Sequence, residues 1–220
     1  MSDTRGWFIT FEGGEGAGKS TQVRRLALAL ARGEREIVTT REPGGSPTAE
    51  VIRAFLLSGR ARPLGTVGEA YLFAAARIDH IAETIRPAVN RGAVVLCDRF
   101  ADSTRVYQGT AGGLDKAVVD HLERVAVGDM APDLTVVLDV PASVGLQRAM
   151  ARSAGLDRFE GDPMTVHDMR RRGFLEIARA NPERCVVIDA TADPDEVAAV
   201  IRTVVAERLG LAMDPPGEVA

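Results

Sequence analysis

The chain has 220 residues, 45% of them hydrophobic and 26% charged, and its formal net charge at pH 7 is −4. This balance is typical of one globular domain with a sizeable core, and it argues against a surface built as a whole to bind nucleic acid. No apolar run approaches the roughly 18 residues of a membrane span, and the first residues lack the apolar segment of a secretion signal. We therefore expect a cytoplasmic protein without a membrane partner.

The cysteines and histidines do not form a metal-binding pattern. Cys97 and Cys185 lie inside apolar runs and lack metal-ligand spacing, which predicts buried, reduced thiols. His80, His121 and His167 form no cluster, so each is interpreted as structural.

A phosphate-binding motif opens the chain. Residues 13–20 read GGEGAGKS, which matches G-x-x-x-x-G-K-[ST]; a strand-like apolar run precedes them and a helical pattern follows. In this phosphate loop, glycines let successive backbone N–H groups point at one anion, while Lys19 reaches the β- and γ-phosphates and the Ser20 hydroxyl ligates Mg²⁺. An ordinary glycine-rich turn is disfavoured because strand, loop and helix follow in order. The residues expected to bind ATP here are Gly13, Gly14, Glu15, Gly16, Ala17, Gly18, Lys19, Ser20 and Thr21.

The rest of the chain alternates apolar runs with helical patterns. Strands are predicted at residues 7–11, 36–40, 93–97, 134–140 and 185–189, each nearly continuous in hydrophobicity, as strands covered on both faces should be. Helices are predicted after the phosphate loop and at 48–58, 67–90, 114–127, 142–154, 166–181 and 193–209. This alternation predicts an α/β fold in which helices flank a five-stranded parallel sheet.

Two strand ends carry candidate ligand-binding residues. The second predicted strand runs into TREPGGSP, where Arg41 can face the phosphate loop or can be a solvated surface arginine. The third ends in Asp98 and Arg99. Asp98 is placed to hold Mg²⁺ and Arg99 to bind phosphate oxygens, although the pair can also be a strand-end salt bridge.

A polar segment at residues 152–163 is either a plain connector or a lid that carries arginines. Arg148 and Arg152 lie four residues apart on one predicted helix face, and Arg158 is nearby; a lid over a triphosphate needs positive charge of this kind. We treat residues 1–220 as a single domain with this short lid, and we expect the tail at 210–220 to be flexible.

Six motifs in order resemble the thymidylate (dTMP) kinase family of P-loop nucleoside monophosphate kinases. They are FEGGEGAGKST, TREPGGSP, LFAAAR, DRFADSTRVYQG, LDVP and ARSAGLDRFE, and the resemblance runs from about Trp7 to Leu209. It implies that the protein transfers a phosphoryl group from ATP to dTMP with Mg²⁺, by positioning and charge neutralisation.

The resemblance also implies a role for each residue that contacts dTMP. Phe73 stacks on the thymine, Arg77 binds its O4 edge and Thr104 also contacts the base. Tyr107 and Gln108 line the sugar, and Glu15 accepts a hydrogen bond from the 3′-OH. Arg99, assisted by Arg41, holds the phosphate. The complete implied set is Glu15, Arg41, Pro43, Phe73, Arg77, Arg99, Thr104, Tyr107 and Gln108.

The family places its charge-neutralising arginine either in the phosphate loop or in the lid. Because Gly16 follows Glu15 here, the resemblance points to Arg152 and Arg158 in the lid, with Arg148 near ATP. The implied catalytic residues are Lys19, Arg99, Arg152 and Arg158. The chain departs from the family pattern at Ala76 and Arg105.

Two other functions of proteins with a phosphate loop fit this sequence less well. A deoxynucleoside kinase would need a carboxylate base at a neutral acceptor, whereas Arg41 and Arg99 together favour a charged one. A GTP switch would need N-K-x-D, which the sequence lacks.

We also expect a homodimer, because the resemblance implies one and because the helices at 48–58 and 67–90 have surplus apolar residues: Val51, Ile52, Phe55, Leu72, Ile78, Ile81 and Ile85.

Overall fold

The computed structural model describes residues 5–31, 33–151, 159–211 and 213. Within these ranges, five parallel strands form one sheet in the order β2-β3-β1-β4-β5, as the sequence predicts. The strands are β1 Trp7–Glu12, β2 Ile37–Arg41, β3 Val94–Asp98, β4 Leu134–Asp139 and β5 Cys185–Asp189. The three inner strands are almost wholly buried, whereas β2 and β5 at the edges are partly exposed. The expectation that every strand is covered on both faces is therefore wrong for the edge strands.

Helices cover both faces of the sheet. They are α1 Lys19–Leu30, α2 Pro47–Leu57, α3 Gly65–His80, α4 Arg86–Asn90, α5 Ala101–Thr104, α6 Lys116–Val127, α7 Ala142–Met150, α8 Met164–Ala180 and α9 Pro194–Leu209. Their ends have identifiable causes. Asp115 and Asp193 accept the amides of Ala117 and Asp195 at the starts of α6 and α9, and Gly210 ends α9 in a left-handed conformation.

Two helical segments differ from the sequence prediction. The long helix predicted at 67–90 begins earlier, at Gly65, and contains a π-helical turn at Ile81–Ile85 between α3 and α4. The second, α5 with the π-helical turn Arg105–Thr110, was not predicted, because its sequence has no continuous apolar stripe and several of its polar side chains face a cavity. The helix predicted at 142–154 ends at Met150, and residues 152–154 lie outside the described ranges.

Successive residues of the inner strands face opposite layers of the core. Ile9 and Phe11 pack with residues of α1 and α9, whereas Phe8 packs on the other side against Phe100, with the two rings edge to face at 4.9 Å. Ile81 and Ile85 belong to this second layer and are 4% and 0% exposed, so counting them as surplus surface was wrong. Both cysteines are free and buried, as predicted.

The sheet topology explains where a site forms. Phe11 in β1 pairs with Asp98 in β3, and Arg41 in β2 pairs with the same Asp98, so three strand ends meet at the edge from which the phosphate loop departs. No helix in the described part of the chain is long and apolar enough to cross a membrane.

Candidate active site

The phosphate loop adopts a backbone that few residues other than glycine could follow. Gly16 has φ +64°, and a Cβ built on it would lie 1.9 Å from the Gly145 carbonyl oxygen of α7. Lys19 is 7% exposed, and its Nζ donates to the carbonyl oxygens of Gly13 at 3.1 Å and Gly14 at 2.7 Å. Burial and the nearby Arg99 lower the pKa of Lys19 to about 8 against the opposing effect of neighbouring carboxylates. An anion in the loop would therefore meet an enclosed ammonium group.

An oxygen pair lies beside the loop at the end of β3. The Ser20 hydroxyl donates to Oδ2 of Asp98, so one hydroxyl and one carboxylate face the same space. These are donor types that Mg²⁺ prefers, usually with waters and substrate phosphates as its other ligands. Among the described residues no group of three or more His, Cys, Asp and Glu side chains forms a ready-made metal site. The pair therefore fits a cation bound mainly through substrate, rather than one held by a protein cage.

Arg99, Glu15 and Tyr107 form a charged cluster in front of the loop. Arg99 Nη2 donates to Glu15 Oε2 at 3.0 Å, Nη1 donates to the Gly13 carbonyl oxygen at 3.2 Å, and the guanidinium lies 5.0 Å from the centre of the Tyr107 ring. The Tyr107 hydroxyl donates to Glu15 Oε1. Burial alone would raise the pKa of Glu15, but Arg99, Lys19 and Tyr107 outweigh it and lower the pKa to about 2. Glu15 is therefore an ionised acceptor at neutral pH.

The first cavity has a volume of about 290 Å³ and lies between this cluster, α3 and the loop after β2. It brings together all the residues that the sequence analysis assigned to dTMP: Glu15, Arg41, Pro43, Phe73, Arg77, Arg99, Thr104, Tyr107 and Gln108. Arg41 is exposed and pairs with Glu50 at 3.1 Å across the rim. The cavity thus combines an aromatic ring, guanidinium groups and an ionised carboxylate within one small space.

Arg77 is held rigidly at the cavity wall. Its Nε donates to Glu42 Oε2 at 2.8 Å, and its Nη2 donates to the Phe100 carbonyl oxygen at 3.2 Å and to Thr104 Oγ1 at 3.1 Å. Glu42 also contacts His80 Nδ1 at 3.2 Å. Sequence reasoning did not select Glu42, although its place in TREPGGSP, directly after Arg41, was a usable signal.

The second cavity, of about 570 Å³, follows the phosphate loop toward α9. Its lining includes Arg148 and seven of the nine loop residues predicted to bind ATP: Glu15, Gly16, Ala17, Gly18, Lys19, Ser20 and Thr21. The other two, Gly13 and Gly14, are not among its lining residues, and their carbonyl oxygens accept from Lys19 instead. Arg148 donates to the carbonyl oxygens of Ala190 at 2.7 Å and Thr191 at 3.0 Å, which holds its guanidinium plane at one wall. The residues that line both cavities are Glu15, Ser20, Arg53, Asp98 and Arg99, so the two spaces meet at these five side chains.

The polar segment at 152–163 contributes one of its described residues to the first cavity. Phe159 lines it and contacts Tyr107 edge to face at 5.4 Å. The guanidinium of Arg170, on α8, lies 4.4 Å from the Tyr107 ring centre and donates to the Phe159 carbonyl oxygen at 3.1 Å. Sequence reasoning missed Arg170 because it lies in a regular helical pattern. Arg152 and Arg158 lie outside the described residues.

The two departures from the family pattern lie away from the cavities. Arg105 pairs with Glu123 of α6, and Ala76 is 2% exposed on the buried side of α3. Neither residue lines either cavity among the described side chains.

Three kinds of comparison with known proteins find similarity to the same family. The family profile described as thymidylate kinase matches residues 11–201. The chain is 56% identical to the thymidylate kinase of Caulobacter vibrioides over 208 residues, which is 94% of this chain and 100% of that protein. It is 57% identical over 197 residues to that of Nitrobacter winogradskyi, covering 89% of this chain and 86% of the relative. The crystal structure of thymidylate kinase from Ehrlichia chaffeensis matches 91% of this chain and 99% of its own, with a TM-score of 0.75 and 33% identity.

Proposed function

The chain belongs to the thymidylate kinase family, as its motifs indicated, and we propose that each of its two cavities binds one of the two substrates. The enzyme transfers a phosphoryl group from ATP to dTMP and releases ADP and dTDP. We assign dTMP to the first cavity and ATP to the second. The observation that supports this division is their junction, because Glu15, Ser20, Arg53, Asp98 and Arg99 line both spaces.

The junction suits phosphoryl transfer between two charged substrates. Arg99 stands where the acceptor phosphate would meet the donor, and Lys19 lies on the donor side, so positive charge flanks the transferring group on both sides. The phosphate of dTMP is ionised at neutral pH and needs no general base. The protein's task is therefore to align the two phosphates and to balance their charge.

Base recognition follows from the fixed arginine on α3. The contacts of Arg77 with Glu42, Phe100 and Thr104 use Nε and Nη2, so we assign Nη1 to the thymine O4. Phe73 lies one helical turn earlier on α3 and lines the same cavity, so its ring is placed to stack on the base. Specificity is thereby assigned to an aromatic face and to a guanidinium that cannot rotate away.

The sugar is assigned to the cluster in front of the phosphate loop. Ionised Glu15 accepts from the 3′-OH, while Tyr107 and Gln108 fill the space beside the ring. Because Tyr107 is held by Glu15 and packed against Arg170, we assign it to the space that a ribose 2′-OH would need. This arrangement favours a deoxyribose.

We assign Mg²⁺ to Ser20 and Asp98, which would hold it beside the second cavity, where it would neutralise part of the charge on the phosphates of ATP. The remaining positive charge is assigned to the lid arginines, Arg152 and Arg158. The loop cannot supply it, since any side chain at residue 16 would meet the Gly145 carbonyl oxygen. Arg148 is assigned to the adenosine end of ATP, where two carbonyl oxygens hold it in place.

We propose that the protein works as a cytoplasmic homodimer. Val51 and Phe55 on α2 and Tyr71 and Ile78 on α3 are exposed at 70%, 37%, 55% and 46%, and these two helices pack side by side. Together they present an apolar face that a second copy would cover. Light scattering at micromolar concentration should give a dimer that Ile78→Asp converts to monomer; a monomeric wild-type protein would overturn the proposal.

The acceptor assignment is tested by supplying ATP and Mg²⁺ with dTMP, dUMP, thymidine or AMP in turn and separating the products. We expect dTDP formation from dTMP to dominate and thymidine to be a poor acceptor. Arg99→Met should reduce turnover of dTMP by about 10² or more, whereas Arg105→Met, which alters an arginine outside both cavities, should leave turnover within about twofold. Equal losses of turnover in the two variants would contradict the proposal that phosphoryl transfer occurs where the two cavities meet.

A further inference from the structure

Glu12 is a carboxylate buried inside the sheet, one residue before the phosphate loop. It is the last residue of β1, it is 0% exposed, and it is not among the residues that line either cavity. Burying a carboxylate costs free energy unless hydrogen-bond donors or positive charges satisfy its oxygens. Its contacts therefore show what it does.

Among the described residues, the hydrogen bonds to the Glu12 carboxylate all come from the segment that follows Arg99. Oε1 accepts the backbone amide of Phe100 at 2.8 Å and that of Ser103 at 3.1 Å. Oε2 accepts the Ser103 hydroxyl at 2.7 Å. The carboxylate thus fixes the start of α5 at three points.

The segment held in this way includes an unusual backbone conformation. Arg99 has φ +69°, and among the described residues it is the one non-glycine residue with positive φ. Its own amide donates to the Phe11 carbonyl oxygen at 2.9 Å, as a continuation of the β-ladder. The strained residue is therefore anchored at its own amide by the Phe11 carbonyl oxygen and at the next amide by the Glu12 carboxylate.

A second connection leads from Glu12 to the Arg99 side chain. Nη1 of Arg99 lies 3.2 Å from Ser103 Oγ, and because a guanidinium can only donate, the serine oxygen must accept. The serine hydrogen is then directed to Glu12 Oε2, which must accept it. Two amides already occupy Oε1, so an ionised Glu12 completes a chain of hydrogen bonds that points from the guanidinium to the carboxylate.

We propose that Glu12 is a positioning residue that holds Arg99, through its backbone turn and through Ser103, in the orientation that binds the phosphate of dTMP. The inference rests on the role proposed above for Arg99. The other charged groups that act on Glu12 are Asp102 on α5 and Lys19 on α1. Asp102 differs from Glu12 in that it pairs with Arg184, at 2.7 and 3.0 Å, and not with Arg99.

The test compares the binding of dTMP and thymidine, which differ only in the phosphate, by titration calorimetry at pH 8. In Glu12→Gln the amide oxygen can still accept the two backbone amides, but the amide nitrogen no longer accepts the Ser103 hydroxyl. We expect dTMP to bind about tenfold more weakly and thymidine to bind within about twofold of wild type. Ser103→Ala should give the same pattern, and the double variant should lose no more than either single variant.

Three controls separate the possible failures. Arg99→Met should weaken the binding of dTMP but not that of thymidine, and it should do so by more than Glu12→Gln. If it does not, the proposed role of Arg99 is wrong. If Arg99→Met behaves as expected but Glu12→Gln leaves dTMP binding unchanged or weakens both ligands equally, the Glu12 inference alone is overturned. Asp102→Asn should leave both affinities within about twofold. A selective loss of dTMP binding there would mean that any disturbance of α5 has the effect, which also overturns the inference.

Discussion

Glu12 and Glu15 lie three residues apart, yet replacing each with glutamine should change the free energy of unfolding in opposite directions. In the fold, burial and the nearby Asp102 raise the pKa of Glu12 from 4.5 to about 7, against its hydrogen bonds from Ser103 and Phe100. Between pH 4.5 and 7 the folded protein therefore binds more protons than the unfolded chain, and the stability that protonated Glu12 contributes is lost as pH rises through 7. For Glu15, with a pKa of about 2, stability is present above pH 4.5 and lost as pH falls through 2.

These shifts give a magnitude for each glutamine variant. At pH 8 the ionised Glu12 costs the fold about 3 kcal/mol, since each pKa unit is worth 1.36 kcal/mol, and at pH 5 the cost falls to about 1 kcal/mol. Glu12→Gln, which imitates the protonated form, should therefore raise the free energy of unfolding by up to these amounts. Glu15→Gln should lower it by about 3 kcal/mol at both pH values, because Glu15 is ionised throughout that range.

The assay is urea unfolding of the nucleotide-free protein at pH 5 and pH 8, followed by circular dichroism at one protein concentration. A Glu12→Gln variant that is less stable than wild type at pH 8 would refute the reasoning, because the ionised carboxylate would then be favourable where it lies. An equal effect of the two substitutions would refute it as well. If the expected result is found, Glu12 is retained at a cost in stability, which agrees with its proposed role in holding Arg99.

Three further results are expected from steady-state kinetics. Lys19→Ala should lower kcat by about 10² or more, whereas Lys116→Ala, at the other lysine of the chain, should not change it; near-normal turnover of the first variant would contradict the phosphate-loop mechanism. Phe73→Ala should raise the KM for dTMP by about tenfold or more and leave that for ATP unchanged, and an equal change in both would make Phe73 a packing residue. Arg152→Ala and Arg158→Ala should lower kcat by about 10²–10³ with little change in dTMP affinity, and a double variant at wild-type rate would make the segment a connector.

The parts of the fold that depend on local pattern could be predicted from the sequence. The phosphate loop, the five strands and the parallel sheet each follow from motifs or from runs of apolar residues. The π-helical turn after α5 could not be predicted, since its residues are placed by distant partners such as Tyr107 with Glu15, 92 positions apart. The apolar surplus of the helix predicted at 67–90 was overcounted at Ile81 and Ile85, because periodicity does not show which face of a long helix meets the sheet.

The candidate site divides in a similar way. Residues that would touch a ligand could be selected because their chemistry matches phosphate, base or sugar, and all those assigned to dTMP line one cavity. Residues that hold these in place could not be selected by chemistry. Glu12, Glu42 and Arg170 act through Arg99, Arg77 and Tyr107, and only the three-dimensional contacts show which partner each of them serves.

The position of α7 gives a physical reason for the lid arginines. Gly16 and Gly145 pack so closely that a Cβ on Gly16 would lie 1.9 Å from the Gly145 carbonyl oxygen, and a Cβ on Gly145 would lie 2.3 Å from that of Glu15. The contact holds the phosphate loop against α7, which carries Arg148 in its last turn. It therefore fixes the wall of the second cavity and at the same time excludes an arginine from residue 16. Since the transferring phosphoryl group still needs that charge, we assign it to Arg152 and Arg158, and the kinetics of their alanine variants would test this assignment.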